Sequence, residues 1–438
     1  MEELAINFKK YVIVPQGALV VLIPFVLWHL FRVGKVLPLA VIQILAGVLL
    51  GPSLFGALAP DTYKIIFGKE LLGGVAGMAL VAVTLFGFIA GTDADKEQIA
   101  HAGKSVAAIS IGGMVVTAAF GALAGYFIAG AYPCLSPEQT SCATGKNPSL
   151  LLFAAAYALA VAIPALPILV ILTRELGLMR HRVGQVGLAS AGIGDVISWA
   201  SIAIILPFAK GAGVEEAVAI ALGGAALNYA FLRYGASKYF EHLLAVEAPE
   251  RVILSVIGIT VFISGTITAV AGLHPVIGAF MAGVFLPDRI REFAAHKLDQ
   301  PTQLVLMPFF FLNTGLNTSF NFADPVVWTL FLVGILVCVS GRILGTMAMA
   351  KLVGENWAFG LTVGSLLQTK GLMAIVVMTI FAKEQVVSQT TFSAAVFMAL
   401  CSTALTMPLV RFIMARVGDK VLEGGKAGAP AGASPAPA

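Results

Sequence analysis

Asp195 is the one carboxylate of this chain that sits well inside an apolar stretch of membrane-crossing length, VGQVGLASAGIGDVISWASIAIILPFA, residues 183 to 209. An ionised carboxylate at that depth costs about 2.5 kcal/mol or more on insertion scales, so such a residue marks an ion or proton pathway. Arg342 lies in FLVGILVCVSGRILGTMAMAKL, also among apolar residues, and an intramembrane guanidinium needs a carboxylate or helix-end carbonyls beside it. Asp195 and Arg342 therefore form a natural pair, either as a working site or as a structural salt bridge. A third cluster is Gln368, Thr369, Lys370 and Gly371, in the middle of LTVGSLLQTKGLMAIVVMT. Together these groups suit one kind of chemistry. A single carboxyl can hold a proton, or it can hold a hard monovalent cation with help from oxygen donors such as the Thr369 hydroxyl, Gln368 or freed backbone carbonyls.

Such residues need elements to carry them across a bilayer, and the composition supplies these. The chain has 438 residues, 59% hydrophobic and 11% charged, against about 25% charged in soluble domains. It reads as an all-α polytopic membrane protein. Thirteen stretches approach the ~20 apolar residues that a spanning helix requires. The fifth covers 149–173, the sixth 183–209, the eleventh 326–350 and the twelfth 358–382.

The fifth and twelfth stretches are built unlike ordinary spans. AYALAVAIPALPILVILTRELG carries Pro164 and Pro167 at mid-membrane, and each proline removes a donor and pushes its predecessor off helical geometry. The sequence predicts a break near Ala162 to Leu166, around Ile163 and Pro164, with a packing kink as the alternative. Gln368 to Gly371 predicts a second break, with Lys370 as a snorkelling interface residue as the alternative. Interrupted helices in matching positions of two halves are the sequence pointer to a transporter site.

Charge distribution gives orientation. With the N-terminus outside, 18 of the 27 Lys and Arg fall on the inner side and 7 on the outer, with Arg342 and Lys370 inside spans. That pattern predicts N-out, C-in, in a cell (inner) membrane. The basic residues are scattered, so nucleic acid is not an expected partner. Residues 417–438, rich in Ala, Pro and Gly, are expected to form a disordered cytoplasmic tail. RYGASKYFEHLLAVEAPER, from Arg233, is expected to hold a short amphipathic surface helix. Cys134 and Cys142 share one loop on the expected outer side, where a disulfide and two free thiols are both open. Cys338 and Cys401 read as packing residues. No nucleophile-plus-base constellation, metal-ligand spacing or phosphate loop stands out, so the chain is not expected to be an enzyme, and no cofactor is implied.

Six stretches in order carry a resemblance: AGVLLGPSLFG (46–56), LFGFIAGTDAD (85–95), GQVGLASAGIGDV (184–196), GLHPVIGAFMAGVFLPD (272–288), MPFFFLNTGLNTS (307–319) and LQTKGLMAIVV (367–377). Over residues 15 to 415 the chain resembles the Kef-type branch of the monovalent cation/proton antiporters. The resemblance implies a sodium/proton antiporter fold with inverted repeats and two crossed broken helices, in a homodimer. It implies a transmembrane exchanger domain over 1–416 with a dimerisation part plus a six-helix core around 72–209 and 302–415. It further implies that Asp195 binds a cation (Na⁺ or K⁺) or a proton in turn, that Arg342 is its partner base, and that the core moves as an elevator.

Three departures bear on mechanism. Gly194 stands where many relatives have Asp or Asn, so one-for-one electroneutral exchange is expected. Ala162 and Ile163 stand where relatives offer hydroxyls, so cation ligation on that side must use backbone or water. Arg342 replaces a Lys found in some relatives, and a guanidinium cannot carry a proton. A K⁺ efflux pathway and a proton-coupled exporter of a small organic solute remain as alternatives; the lack of a cytoplasmic nucleotide-binding segment weighs against ligand gating. His274, Asn313, Thr314 and Asn317 are secondary candidates for lining a cavity, with capping or packing the stronger reading. Asp93 and Asp95 read as a solvated helix end, and Gly278 to Gly283 as a close-packing surface.

Overall fold

The computed structural model describes residues 11–29, 39–52, 54–68, 72–93, 103–135, 139, 141–146, 149–179, 181–209, 211, 213–316, 318 and 324–418. Asp95, Asn317 and the tail beyond Gly418 lie outside them. Among the described residues thirteen segments form the body: α1 (Ile13–His29), α2 (Leu39–Leu50), α3 (Leu72–Asp93) and α4 (Lys104–Ala131) come first. Then follow α5a (Leu150–Ala162) and α5b (Leu166–Glu175), α6 (Arg182–Ala209), α7 (Val214–Ala230), α8 (Glu250–Val270), α9 (Pro275–Phe285) and α10 (Met307–Leu316). The last are α11 (Pro325–Leu352), α12a (Trp357–Leu367), α12b (Leu372–Lys383) and α13 (Gln389–Val417). Six of them, α3, α4, α6, α8, α11 and α13, are long and apolar enough to cross a membrane unbroken.

Several helices start at side-chain caps that satisfy their first free amides. Ser149, His274, Asp324, Asn356 and Ser388 do this for α5a, α9, α11, α12a and α13. Capping thus accounts for His274, whose Nδ1 accepts from the Val276 amide at 3.4 Å. The expected surface helix is present as Ser237–Ala245, burying Ser237, Phe240 and Leu243. A second short helix, Asp288–Pro301, follows α9; Arg291 anchors it by donating to the Thr92 carbonyl at 2.8 Å. Cys134 and Cys142 are joined as a disulfide, with Cα atoms 5.1 Å apart.

Glycines decide which segments pack together, because they let backbones meet. A Cβ on Gly283 would lie 2.1 Å from the Phe88 carbonyl oxygen, and one on Gly315 2.1 Å from the Gly47 carbonyl carbon. Helix α3 is therefore fused to α9, and α10 to α2, which bears out the packing role of the Gly278–Gly283 run. On the other side, a Cβ on Gly121 would sit 2.8 Å from Ala158 Cα, and one on Gly364 2.9 Å from Ile343 Cα, tying α4 to α5a and α11 to α12a. The result is two bundles. One contains α2, α3, α9 and α10; the other contains α4, α5, α6, α11, α12 and α13, with α7 packed between α6 and the pair α8 and α9. Within the expected core limits of 72–209 and 302–415, α3 and α10 pack with α9 and α2 rather than with the six-segment bundle. Hydropathy marks a span without saying which neighbour it keeps.

Candidate functional site

The six-segment bundle holds both interrupted helices. Ile163 leaves α5a with an extended backbone, φ −63° and ψ 124°, as the residue before a proline must. The break runs Ile163–Ala165, within the predicted stretch. Pro167 falls in the first turn of α5b, where a missing donor costs nothing, so Pro164 alone opens the chain. The second break is Gln368–Gly371, between α12a and α12b.

The two breaks touch. A Cβ on Gly371 would lie 2.7 Å from Ala165 Cβ and 2.6 Å from Ile168 Cδ1. Lys370 Nζ donates to the Ile163 carbonyl at 2.6 Å and is fully buried. Lys370 is therefore not a snorkelling residue: it supplies the donor that the proline break lacks. Ala162 and Ile163 are themselves 0% exposed, so break one has no polar side chain of its own.

Asp195 meets this crossing through its neighbour. A Cβ on Gly194 would stand 2.6 Å from Pro164 Cγ, and Ser198 Oγ donates back to the Gly194 carbonyl at 2.7 Å. Gly194 is thus more than a missing acid. It is the close contact that seats α6 on break one and leaves Asp195, 1% exposed, beside the crossing. Among the described residues the other buried carboxylates, Asp324 and Glu355, stand at segment ends.

Break two is held quite differently. Gln368 Nε2 donates to the Ser402 carbonyl at 3.1 Å and to Thr406 Oγ1 at 2.7 Å. Ser402 Oγ donates to the Gln368 carbonyl at 2.7 Å and to its side-chain oxygen at 2.8 Å. Thr369 Oγ1 lies 2.9 Å from Thr406 Oγ1, and Thr403 Oγ1 donates to the Lys370 carbonyl. Cys338 Sγ comes within 3.6 Å of the Gln368 carbonyl, so this cysteine belongs to the site rather than to plain packing. Ser402, Thr403 and Thr406 escaped the sequence reading. Their only signal is hydroxyls at helical spacing in the apolar run CSTALTM.

Arg342 is fully buried just after a π-helical turn, Val337–Gly341, a local form that recurs at functional sites. Its three guanidinium nitrogens have no hydrogen-bond partner among the described residues. The expected pair with Asp195 is therefore not a closed salt bridge here. The reason is packing: the Arg342 half of α11 lies against α4 and α12a, not directly along α6. Cys338, one helical turn before Arg342, reaches the Gln368 carbonyl, which brings this part of α11 to the second break. The crossing thus gathers one carboxylate, two cations and a ring of hydroxyl and carbonyl oxygens.

Of the remaining candidates, Asn313 and Thr314 line a cavity of about 170 Å³ with Thr379, Lys383 and Gln389, away from the crossing. Asp93 ends α3, as a helix-end residue should.

A family model described as sodium/hydrogen exchanger, transmembrane, matches residues 18–415. The chain is 28% identical over 391 residues to the cation/H(+) antiporter 15 of Arabidopsis thaliana, covering 88% of this chain and 46% of that one. It is 27% identical over 388 residues to the K(+)/H(+) antiporter 1 of Saccharomyces cerevisiae, covering 86% and 43%. It is 24% identical over 375 residues to the Na(+)/H(+) antiporter NhaS4 of Synechocystis sp., covering 84% and 89%. The chain thus spans less than half the length of the plant and yeast relatives. Among solved structures, a sodium proton antiporter from Methanocaldococcus jannaschii, MjNhaP1 at pH 8, matches with a TM-score of 0.58 at 14% identity, covering 93% and 96%; that match is one of fold.

Proposed function

Because the chain belongs to the sodium/hydrogen exchanger family, we propose that it exchanges a monovalent cation, Na⁺ or K⁺, for H⁺ by competition at Asp195. The observation that carries this reading is the burial of Asp195 beside two touching helix breaks. A carboxylate there is costly when bare, and either a proton or a cation neutralises it. Binding one excludes the other, which is a complete coupling rule for one-for-one, electroneutral exchange. Cation ligands come from Asp195, backbone carbonyls of the breaks, the Thr369 and Gln368 side chains, and water. Arg342 and Lys370 supply fixed positive charge that disfavours a second cation and helps hold the bare carboxylate when the site is empty.

The six-segment bundle is the moving part in this reading, and the bundle of α2, α3, α9 and α10 is the frame, in a homodimer whose cores travel as elevators. The Lys and Arg asymmetry supports N-out, C-in insertion in the inner membrane. The Cys134–Cys142 disulfide supports an oxidising compartment on its face. Relatives named as Na⁺/H⁺ and K⁺/H⁺ antiporters support both cations as candidates.

The test is reconstitution into liposomes with an internal pH dye, adding Na⁺, K⁺ and Li⁺ in turn. Cation-dependent proton movement should vanish in Asp195→Asn, and movement that survives would sink the claim. As the pH is lowered into the range where Asp195 binds a proton, the apparent KM for the cation should rise by up to about tenfold per pH unit, with kcat unchanged.

A further inference from the structure

The two three-segment units of the mobile bundle, α4–α5–α6 and α11–α12–α13, each place a broken helix second and run in opposite directions. At each face the first loop of one unit therefore meets the second loop of the other. Both meetings are built. At one face the α4–α5 loop, closed by the Cys134–Cys142 disulfide, pairs with the α12–α13 loop. The Gly145 amide donates to Val386 at 3.0 Å and the Ser388 amide to Ala143 at 3.0 Å. Ser388 Oγ and Thr391 Oγ1 donate to the Cys142 and Ala143 carbonyls at 2.6 and 2.7 Å. Ser141 Oγ reaches Asp324 at 2.7 Å, the residue that caps α11.

At the opposite face the start of α6 meets the α11–α12 loop through the Arg182–Glu355 ion pair. Both terminal nitrogens of Arg182 bond the Glu355 carboxylate, one of them at 2.9 Å. The Glu355 side chain is 1% exposed and that of Arg182 35%, and Arg182 Cζ stands 5.1 Å from the Phe359 ring centre. Such a bidentate fork fixes both distance and angle.

We propose that these meetings are matched clasps, and that Arg182 and Glu355 are positioning residues that set the register of Asp195 against the second break. Arg182 opens α6 and Glu355 precedes the cap of α12a by one residue. Helices are stiff rods rising about 1.5 Å per residue, so the pair controls, from roughly 20 Å away, where Asp195 stands relative to Gln368 and Thr369. The disulfide clasp holds by two backbone bonds, two hydroxyl-to-carbonyl bonds and a covalent closure. The ion-pair clasp rests on the Arg182 fork to Glu355 and on Arg182 against Phe359, side-chain contacts that a substitution can retune, so the adjustable end of the bundle is there. This inference rests on the exchange reading for its transport arm only.

The experiment uses the full chain in liposomes, comparing Glu355→Gln with the reversed pair Arg182→Glu/Glu355→Arg. Glu355→Gln should raise the cation KM about tenfold with kcat within twofold, and the reversed pair should return KM to within threefold of the starting protein. A merely structural contact would lower yield and melting temperature but leave KM of the folded fraction unchanged, and that result overturns the proposal. Hydrogen exchange of the amides at 368–371 gives a readout free of transport: it should quicken at least fivefold in Glu355→Gln and recover in the reversed pair. Unchanged amide exchange defeats the clasp whatever transport does. If the starting protein moves no ions at all, the exchange reading fails while the amide measurement still decides the clasp.

Discussion

The two helix breaks lie in contact yet are made by opposite means. Break one is backbone chemistry: Pro164 removes a donor, its neighbours are apolar and buried, and its freed Ile163 carbonyl relies on Lys370 from the other helix. Break two is side-chain chemistry, with Gln368, Thr369 and Lys370 held by Ser402, Thr403 and Thr406 of α13. A break supported by one remote donor is fragile, whereas one supported by a network tolerates the loss of a member. The carboxylate leans on the fragile side, through Gly194 and Pro164.

Lys370→Met should show this most strongly. It strands the buried Ile163 carbonyl at a cost of about 1–3 kcal/mol, and exchange in liposomes should fall by at least a hundredfold, with Lys370→Arg intermediate. Next comes Gly194→Ala, whose methyl would collide with Pro164; overpacking should cost about 1–3 kcal/mol, read as a lowered melting temperature in detergent and a roughly tenfold loss of exchange. Ser402→Ala should matter less. Gln368 keeps Thr406, so about 1 kcal/mol is lost and exchange stays within threefold. Smallest is the coupling term: Ser402→Ala combined with Thr406→Val should exceed the sum of the single effects by about 0.5 kcal/mol, the signature of a shared network. If Ser402→Ala proved as damaging as Lys370→Met, the contrast between the breaks would collapse.

Both breaks were legible in the chain because proline and glycine state their backbone consequences locally. Asp195, Arg342 and Lys370 were legible because charge inside an apolar span is rare. What stayed hidden depends on neighbours. Gly194 read as the loss of an acid, while in three dimensions it is a contact with Pro164. Ser402 and Thr406 looked like ordinary helix residues until α13 was laid against the second break. The packing of α3 and α10 against α9 and α2 rests on glycine contacts, and no single-segment pattern carries that. The Asp195–Arg342 pair was inferred from charge and from the resemblance, and packing sets α4 and α12a against the arginine.

The paired cations at the crossing have an electrical consequence. If the six-segment bundle shuttles as proposed, Lys370 and Arg342 travel through the membrane field with the ion they serve. Moving one charge through 100 mV is worth about 2.3 kcal/mol. The proton-loaded and cation-loaded bundles would carry the same excess positive charge in opposite directions, so the two strokes cancel over a full cycle. Each stroke alone would still displace charge. A rapid cation jump on a supported membrane should therefore give a transient capacitive current in a protein whose steady exchange passes none, and Lys370→Met should shrink that transient.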